Sequence, residues 1–104
     1  MLITTTDFIP GQEIVEVLDV VRGSTVRARN LGRDIFAGLK NLVGGEISEY
    51  TQLMADAREQ AIDRMIADAE EIEADAIINV RFATAAVMQG ASEILAYGTA
   101  VKLK

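Results

Sequence analysis

Residues 48–73 read SEYTQLMADAREQAIDRMIADAEEIE, and this stretch, with the two strands that follow it, decides the fold. Tyr50, Leu53, Met54, Ala57, Ala61, Met65, Ala69 and Ile72 mark one stripe of a single uninterrupted helix. Ala55, Ile62 and Ile66 widen that stripe. Ser48 is the predicted N-cap. At ~1.5 Å per residue the helix spans roughly 35–40 Å, longer than a domain of this size needs to cover its own sheet. Its end is unusual: Asp68, Glu70, Glu71 and Glu73, with Asp75 beyond, oppose the helix dipole. A solvated end tolerates such charge; otherwise a cation or a partner offsets it.

From Ala76 the hydrophobic period drops to two. Ala76, Ile78, Val80 and Phe82 are expected on one face of a strand, with Asn79 and Arg81 on the other. Gln89-Gly90 turns the chain. Leu95, Tyr97, Thr99, Val101 and Leu103 then alternate with Ala96, Gly98, Ala100 and Lys102. The small row invites close approach by a helix or a neighbouring backbone. Lys102 and Lys104 blunt the strand end.

Toward the N-terminus, Leu2 to Thr6 reads as a short β segment and Ile9-Pro10-Gly11 as a turn. Glu13 to Val21 reads as a strand with apolar residues on both faces, so both faces are expected to be at least partly covered. Arg22-Gly23-Ser24 is a turn or bulge candidate, after which Val26 and Ala28 alternate with Arg27 and Arg29. Asn30 is placed to cap a short helix from about Gly32 to Leu42, with Ile35, Phe36, Leu39, Leu42 and Val43 as its stripe and Gly44-Gly45 as its stop. The expected order is β-β-α-α-β-β. That is α+β: an antiparallel sheet with the long helix on one face.

The 104 residues suit one domain, 1–104. A formal net charge of −6 repels phosphate backbones and argues against nucleic-acid binding. No apolar run approaches the ~20 residues of a membrane helix, and Met1-Leu2-Ile3-Thr4 lacks the marks of a signal peptide. The expected location is the cytoplasm. The chain has no Cys and no His, which removes disulfides, thiol catalysis, zinc fingers and imidazole chemistry.

Candidate sites are few. The four Met residues are Met1, Met54, Met65 and Met88, and Met54 and Met65 lie on the helix stripe, where packing is the expected role. Glu46 and Glu49, with Asp34 nearby in space, form a candidate hard-cation set that a ring of subunits would repeat around its axis. The reading against it takes them as cap and surface charges. Arg27, Arg29 and Arg33 could hold a small anion near the Asn30–Gly32 helix start, or be gatekeeper charges on a strand edge. Arg58 is expected to form a structural ion pair with Asp34, Glu46 or Glu93, within or between subunits. Tyr50 and Tyr97 read first as buried tyrosines with satisfied hydroxyls. No nucleophile has an obvious base, and no G-x-S-x-G, P-loop or G-x-G-x-x-G occurs, so no catalytic residue is assigned.

Read together, several segments resemble the YbjQ-like family of small prokaryotic proteins, labelled as a heavy-metal-binding domain. They are Thr4-Thr5-Thr6 with Ile9-Pro10-Gly11; Gly44-Gly45-Glu46; Tyr50-Thr51 with Arg58 and Ala61; Ala74-Asp75-Ala76-Ile77 with Arg81; and Tyr97-Gly98-Thr99-Ala100-Val101. The resemblance covers almost the whole chain. It implies a dodecin-like subunit and a ring-shaped homopentamer in which extra short strands pair between subunits, and no known activity. The sequence departs from the pattern at Glu73 and Asn79, where Gly is expected or common. A left-handed φ at either position would cost an L side chain what Gly does not lose.

The leading expectation is a non-enzymatic homo-oligomeric binding or scaffold module. Its small ion or metabolite would sit at subunit junctions or on the ring axis, with Arg33, Asp34, Tyr50, Arg58 and Glu93 as candidate contacts. The alternatives are a carboxylate cation binder that uses Glu46, Glu49 and Asp34, with a divalent cation as its cofactor, and an enzyme with an inter-subunit carboxylate or Tyr site.

Overall fold

The computed structural model describes residues 1–27, 48–88 and 91–104; for Arg27, residues 48–51, 53 and 88 it describes the backbone alone. The elements are β1 (Leu2–Ile3), β2 (Ile14–Arg27), α1 (Ser48–Glu71), β3 (Ala76–Met88) and β4 (Ala91–Leu103). The expected short helix from Gly32 to Leu42, its Asn30 cap and its Gly44-Gly45 stop lie outside the described residues.

The four strands form one sheet in the order β1-β3-β4-β2. β2, β3 and β4 are antiparallel neighbours, but β1 runs parallel to β3, pairing Leu2 with Ala76 and Ile3 with Ile77. The sheet is therefore mixed, not antiparallel throughout. The cause is local: the Thr4 amide bonds the Ile77 carbonyl at 3.0 Å and the Val80 and Asn79 amides bond Thr4 and Thr6, which lays the N-terminal segment along β3 in its own direction. β1 ends at Ile3 rather than Thr6 because the next residues turn inward on side-chain bonds, Thr6 donating to the Phe8 carbonyl at 2.6 Å. Gly11 has φ 76°, so Pro10-Gly11 supplies the expected turn, closed by the Gln12 amide on the Ile9 carbonyl at 3.1 Å.

β2 corrects a second expectation. It continues unbroken from Ile14 to Arg27, in regular register through the Arg22-Gly23-Ser24 segment expected to turn or bulge. Its irregularities fall earlier, between Ile14 and Glu16 and between Val17 and Asp19. Gly23 serves packing instead: a Cβ there would overlap the backbone of α1 at Ala61, Arg64 and Met65. Across from it Ala96 and Ala100 are fully buried, so the small row of β4 does admit the helix closely.

α1 buries the middle of the expected stripe, while Ile72, expected on it, lies beyond the helix end and is exposed, and the side chains of Tyr50 and Leu53 lie outside the description. Ala57, Ala61, Met65 and Ala69 are fully enclosed and meet Val21, Ile77, Val80, Ile94, Ala96 and Ala100. Burial of large members such as Met65 and Ile94 stabilises the fold by roughly 1.5–3 kcal/mol each. The helix ends in a Schellman motif: the Ala74 amide bonds the Ala69 carbonyl at 3.1 Å and the Glu73 amide bonds the Glu70 carbonyl at 3.0 Å. Glu73 holds φ 60°, the left-handed conformation that Gly would take more cheaply.

Asn79 is the other left-handed residue, at φ 54°, and it changes the face pattern of β3. An extra residue between Ile78 and Arg81 opposes the Thr99–Tyr97 segment of β4. Ala76 and Ile78 therefore pack with Ile9 and Val101 on the face away from the helix, whereas Val80 joins Ile77 on the helix face. The single face expected for Ala76, Ile78, Val80 and Phe82 is split by this bulge. Gly98 lies opposite, where a Cβ would stand 2.7 Å from Ile77 Cγ2 and 2.9 Å from the Ile78 carbonyl oxygen. β3 and β4 are joined as expected, with Met88 paired to Ala91 across residues 89–90.

Candidate functional site

Two surfaces stand out. The first is an open groove of about 570 Å³ between β2 and the C-terminal half of α1, lined by Asp19, Val20, Arg22, Arg64, Ala67, Asp68 and Glu71. Among the described residues β2 is an edge strand of the sheet, and the groove runs along its outer side. Asp68 Oδ2 accepts the Arg22 amide at 3.1 Å. Arg64 donates from Nη1 to the Ser24 carbonyl. Asp19 Oδ1 accepts the Val20 amide at 2.7 Å. Arg64 and Asp68 are four residues apart on α1 and so project from one side of it.

The second surface is apolar. Val17 is 64 % exposed, Val20 54 %, Val26 52 %, Val87 52 % and Phe82 47 %. Val20, Val26, Leu95 and Tyr97 lie on the sheet face opposite α1, because they alternate with Val21, Thr25, Ile94 and Ala96, which α1 covers or which are buried. Ile9 covers only the other end of that face, with Ala76, Ile78 and Val101. Phe82 lies toward the helix side but beyond α1, which packs mainly on β2 and β4. Beyond its short pairing with β1, β3 has no strand on its outer side among the described residues. The extents are 55 × 25 × 17 Å and the radius of gyration is 17.2 Å. A compact domain of this length has a radius of about 13 Å.

The candidates from sequence are dispersed or fall outside the description. Arg29, Arg33, Asp34 and Glu46 lie outside the described residues, as do the side chains of Arg27, Glu49 and Tyr50. Arg58 is exposed on α1 and makes no ion pair with a described residue. Glu93 is half-buried on the sheet face away from the helix, so the sheet separates it from Arg58 within one subunit. Tyr97 is 37 % exposed rather than buried. Of the acidic residues at the helix end, Asp68 holds the Arg22 amide and Asp75 accepts the Leu103 amide at 2.8 Å, while Glu70, Glu71 and Glu73 are exposed.

The groove was missed from sequence. The one available signal was the Arg64–Asp68 spacing, and nothing in it pointed to β2. Among the described residues no group of three or more Asp or Glu is arranged to hold a metal ion. Met65 is fully enclosed and Met54 packs against the same core, so their thioethers are used in packing.

A family model described as "Putative heavy-metal-binding" matches residues 1–104. Similar chains include a UPF0145 protein of Archaeoglobus fulgidus, 57 % identical over 104 residues, covering 100 % of this chain and 96 % of the relative. Another, from Methanoculleus marisnigri, is 60 % identical over 103 residues, with 99 % and 96 % covered. Among solved structures, a protein of unknown function of the DUF74 family from Pediococcus pentosaceus matches with a TM-score of 0.66 at 21 % identity, covering 100 % of this chain and 98 % of that one. That likeness speaks for the fold alone.

Proposed function

This chain belongs to the YbjQ family over its whole length, and we propose that it works as a non-enzymatic module assembled from identical copies. The single observation that carries this reading is the set of large apolar side chains that the described residues leave exposed on the sheet: Val17, Val20, Val26 and Tyr97 on the face away from α1, with Phe82 on the helix side beyond α1 and Val87 near the end of β3. Covering half-exposed side chains of this size yields on the order of 1 kcal/mol each. Several such contacts per subunit are needed to outweigh the cost of association. A second copy offers the same surface at the same concentration, and closed symmetry uses it repeatedly. The dodecin-like ring, with the five subunits the family resemblance implies, belongs to this proposal. A small ion or metabolite at the junctions, held by Arg33, Asp34, Tyr50, Arg58 or Glu93, is its ligand part.

The family's heavy-metal description does not fit the donors in this chain. Soft metals are selected by thiolate, imidazole or exposed thioether groups. The chain has no Cys or His, Met54 and Met65 are packed in the core, and the exposed Met1 supplies a lone thioether with no second soft donor beside it among the described residues. A cation, if one binds, is a hard one held by carboxylates such as Glu46, Glu49 and Asp34. Native mass spectrometry at about micromolar concentration tests the assembly: a closed oligomer of one size supports it, and a persistent monomer refutes it.

A further inference from the structure

Among the described residues β2 has no strand on its outer edge, and that edge is not bare. In an edge strand every second residue turns its N–H and C=O outward, away from the neighbouring strand. The bond from the Arg22 amide to Asp68 identifies Arg22 as one of these, and therefore Val20 and Ser24 as well. Each of the three has a backbone group taken by a side chain: the Val20 amide by Asp19, the Arg22 amide by Asp68, and the Ser24 carbonyl by Arg64. These are the groups that an incoming strand must bond.

We propose that Asp19, Arg64 and Asp68 form an edge seal, which bars an extended segment of another copy of this chain from adding to β2. The seal has a physical reason to exist. Val17, Val20 and Val26 make β2 an apolar, β-branched strand of 14 residues. Such an edge is a template for uncontrolled strand addition unless it is covered or charged. Arg64 and Asp68 reach it because Gly23 lets α1 lie directly on β2 at that level. Their bonds are charge-assisted and stronger than neutral ones. A strand that displaced them would have to replace both bonds and leave two charged groups without their partners. The groove beside β2 is the space these side chains span. The seal is a property of the single subunit and stands whatever the size of the assembly.

The test uses amide hydrogen exchange on the full chain, read at Val20 and Arg22. Asp68→Leu removes the acceptor at similar size; Asp68→Asn keeps an acceptor oxygen. Asp68→Leu is expected to speed Arg22 exchange by about ten-fold or more, and Asp68→Asn by much less. Asp68→Leu combined with Arg64→Met is expected to grow beyond the wild-type subunit number, in a concentration-dependent way, with added β signal. Should Asp68→Leu fail to fold, Arg64→Met alone carries the growth measurement. Wild-type exchange at Arg22 as fast as at an unprotected amide, or an Asp68→Leu variant that exchanges at the wild-type rate, overturns the proposal. So does a folded Arg64→Met or double variant with the wild-type subunit number.

Discussion

Gly23 of β2 and Met65 of α1 are in backbone contact: a Cβ on Gly23 would overlap the Met65 amide nitrogen. The overlap is with main chain, which cannot rotate away. Gly23→Ala must push the helix off the sheet and is expected to destabilise by about 3 kcal/mol or more, above the usual range for overpacking. Urea unfolding measures it. A loss under about 0.5 kcal/mol would mean that the helix does not sit this close.

Glu73 gives the opposite expectation. Its φ of 60° closes the Schellman motif at the end of α1. Glu73→Gly removes a left-handed strain of about 1–2 kcal/mol and a carboxylate at the negative end of the dipole. The added chain entropy of Gly offsets part of this. The variant is expected to gain about 0.5–1 kcal/mol in thermal or denaturant unfolding; a loss would contradict the cap geometry.

Thr25 is 2 % exposed, faces the core beside Ile94, and its hydroxyl has no hydrogen-bond partner among the described residues. Leaving such a group unpaired costs about 1–3 kcal/mol. Thr25→Val keeps the shape and removes the hydroxyl. It is expected to stabilise by about 1 kcal/mol, and a destabilised variant would show that the hydroxyl is bonded.

The cation reading makes its own demand. Calorimetry with Ca²⁺, Mg²⁺ or Mn²⁺ is expected to give heat that Glu46→Gln reduces, if carboxylates are the donors. Thioether coordination is expected to play no part, so Met54→Leu should leave any metal response unchanged at a stability cost under about 1.5 kcal/mol. Soft-metal binding lost in Met54→Leu would overturn the packing role given to that thioether.

The long helix, its stripe and the β3–β4 pair were legible because periodicity survives wherever one face is buried without interruption. Ala57, Ala61, Met65 and Ala69 recur at steps of four, and all four are enclosed. The face assignment in β3 failed at one residue. Asn79 adds a bulge that strict alternation does not reveal, although its place as a departure from the family's common Gly pointed to unusual backbone there. Gly23 misled for a related reason: a glycine that marks a turn and one that admits a helix look alike in sequence. The parallel β1 was not legible because it rests on backbone bonds from Thr4 and Thr6, which carry no side-chain pattern. The groove was hidden because Asp68 and Arg64 bond main-chain atoms of a strand some forty residues earlier in the chain.

The central claim is that the bare valines of β2 and β3 are covered by further copies. Sedimentation equilibrium of the wild type beside Val20→Glu and Val87→Glu tests it most directly. The account expects a single oligomeric species for the wild type and a fall toward monomer in at least one variant, since a charge buried without a partner costs far more than an exposed one. A wild-type monomer, or an oligomer that both glutamates leave intact, would contradict it.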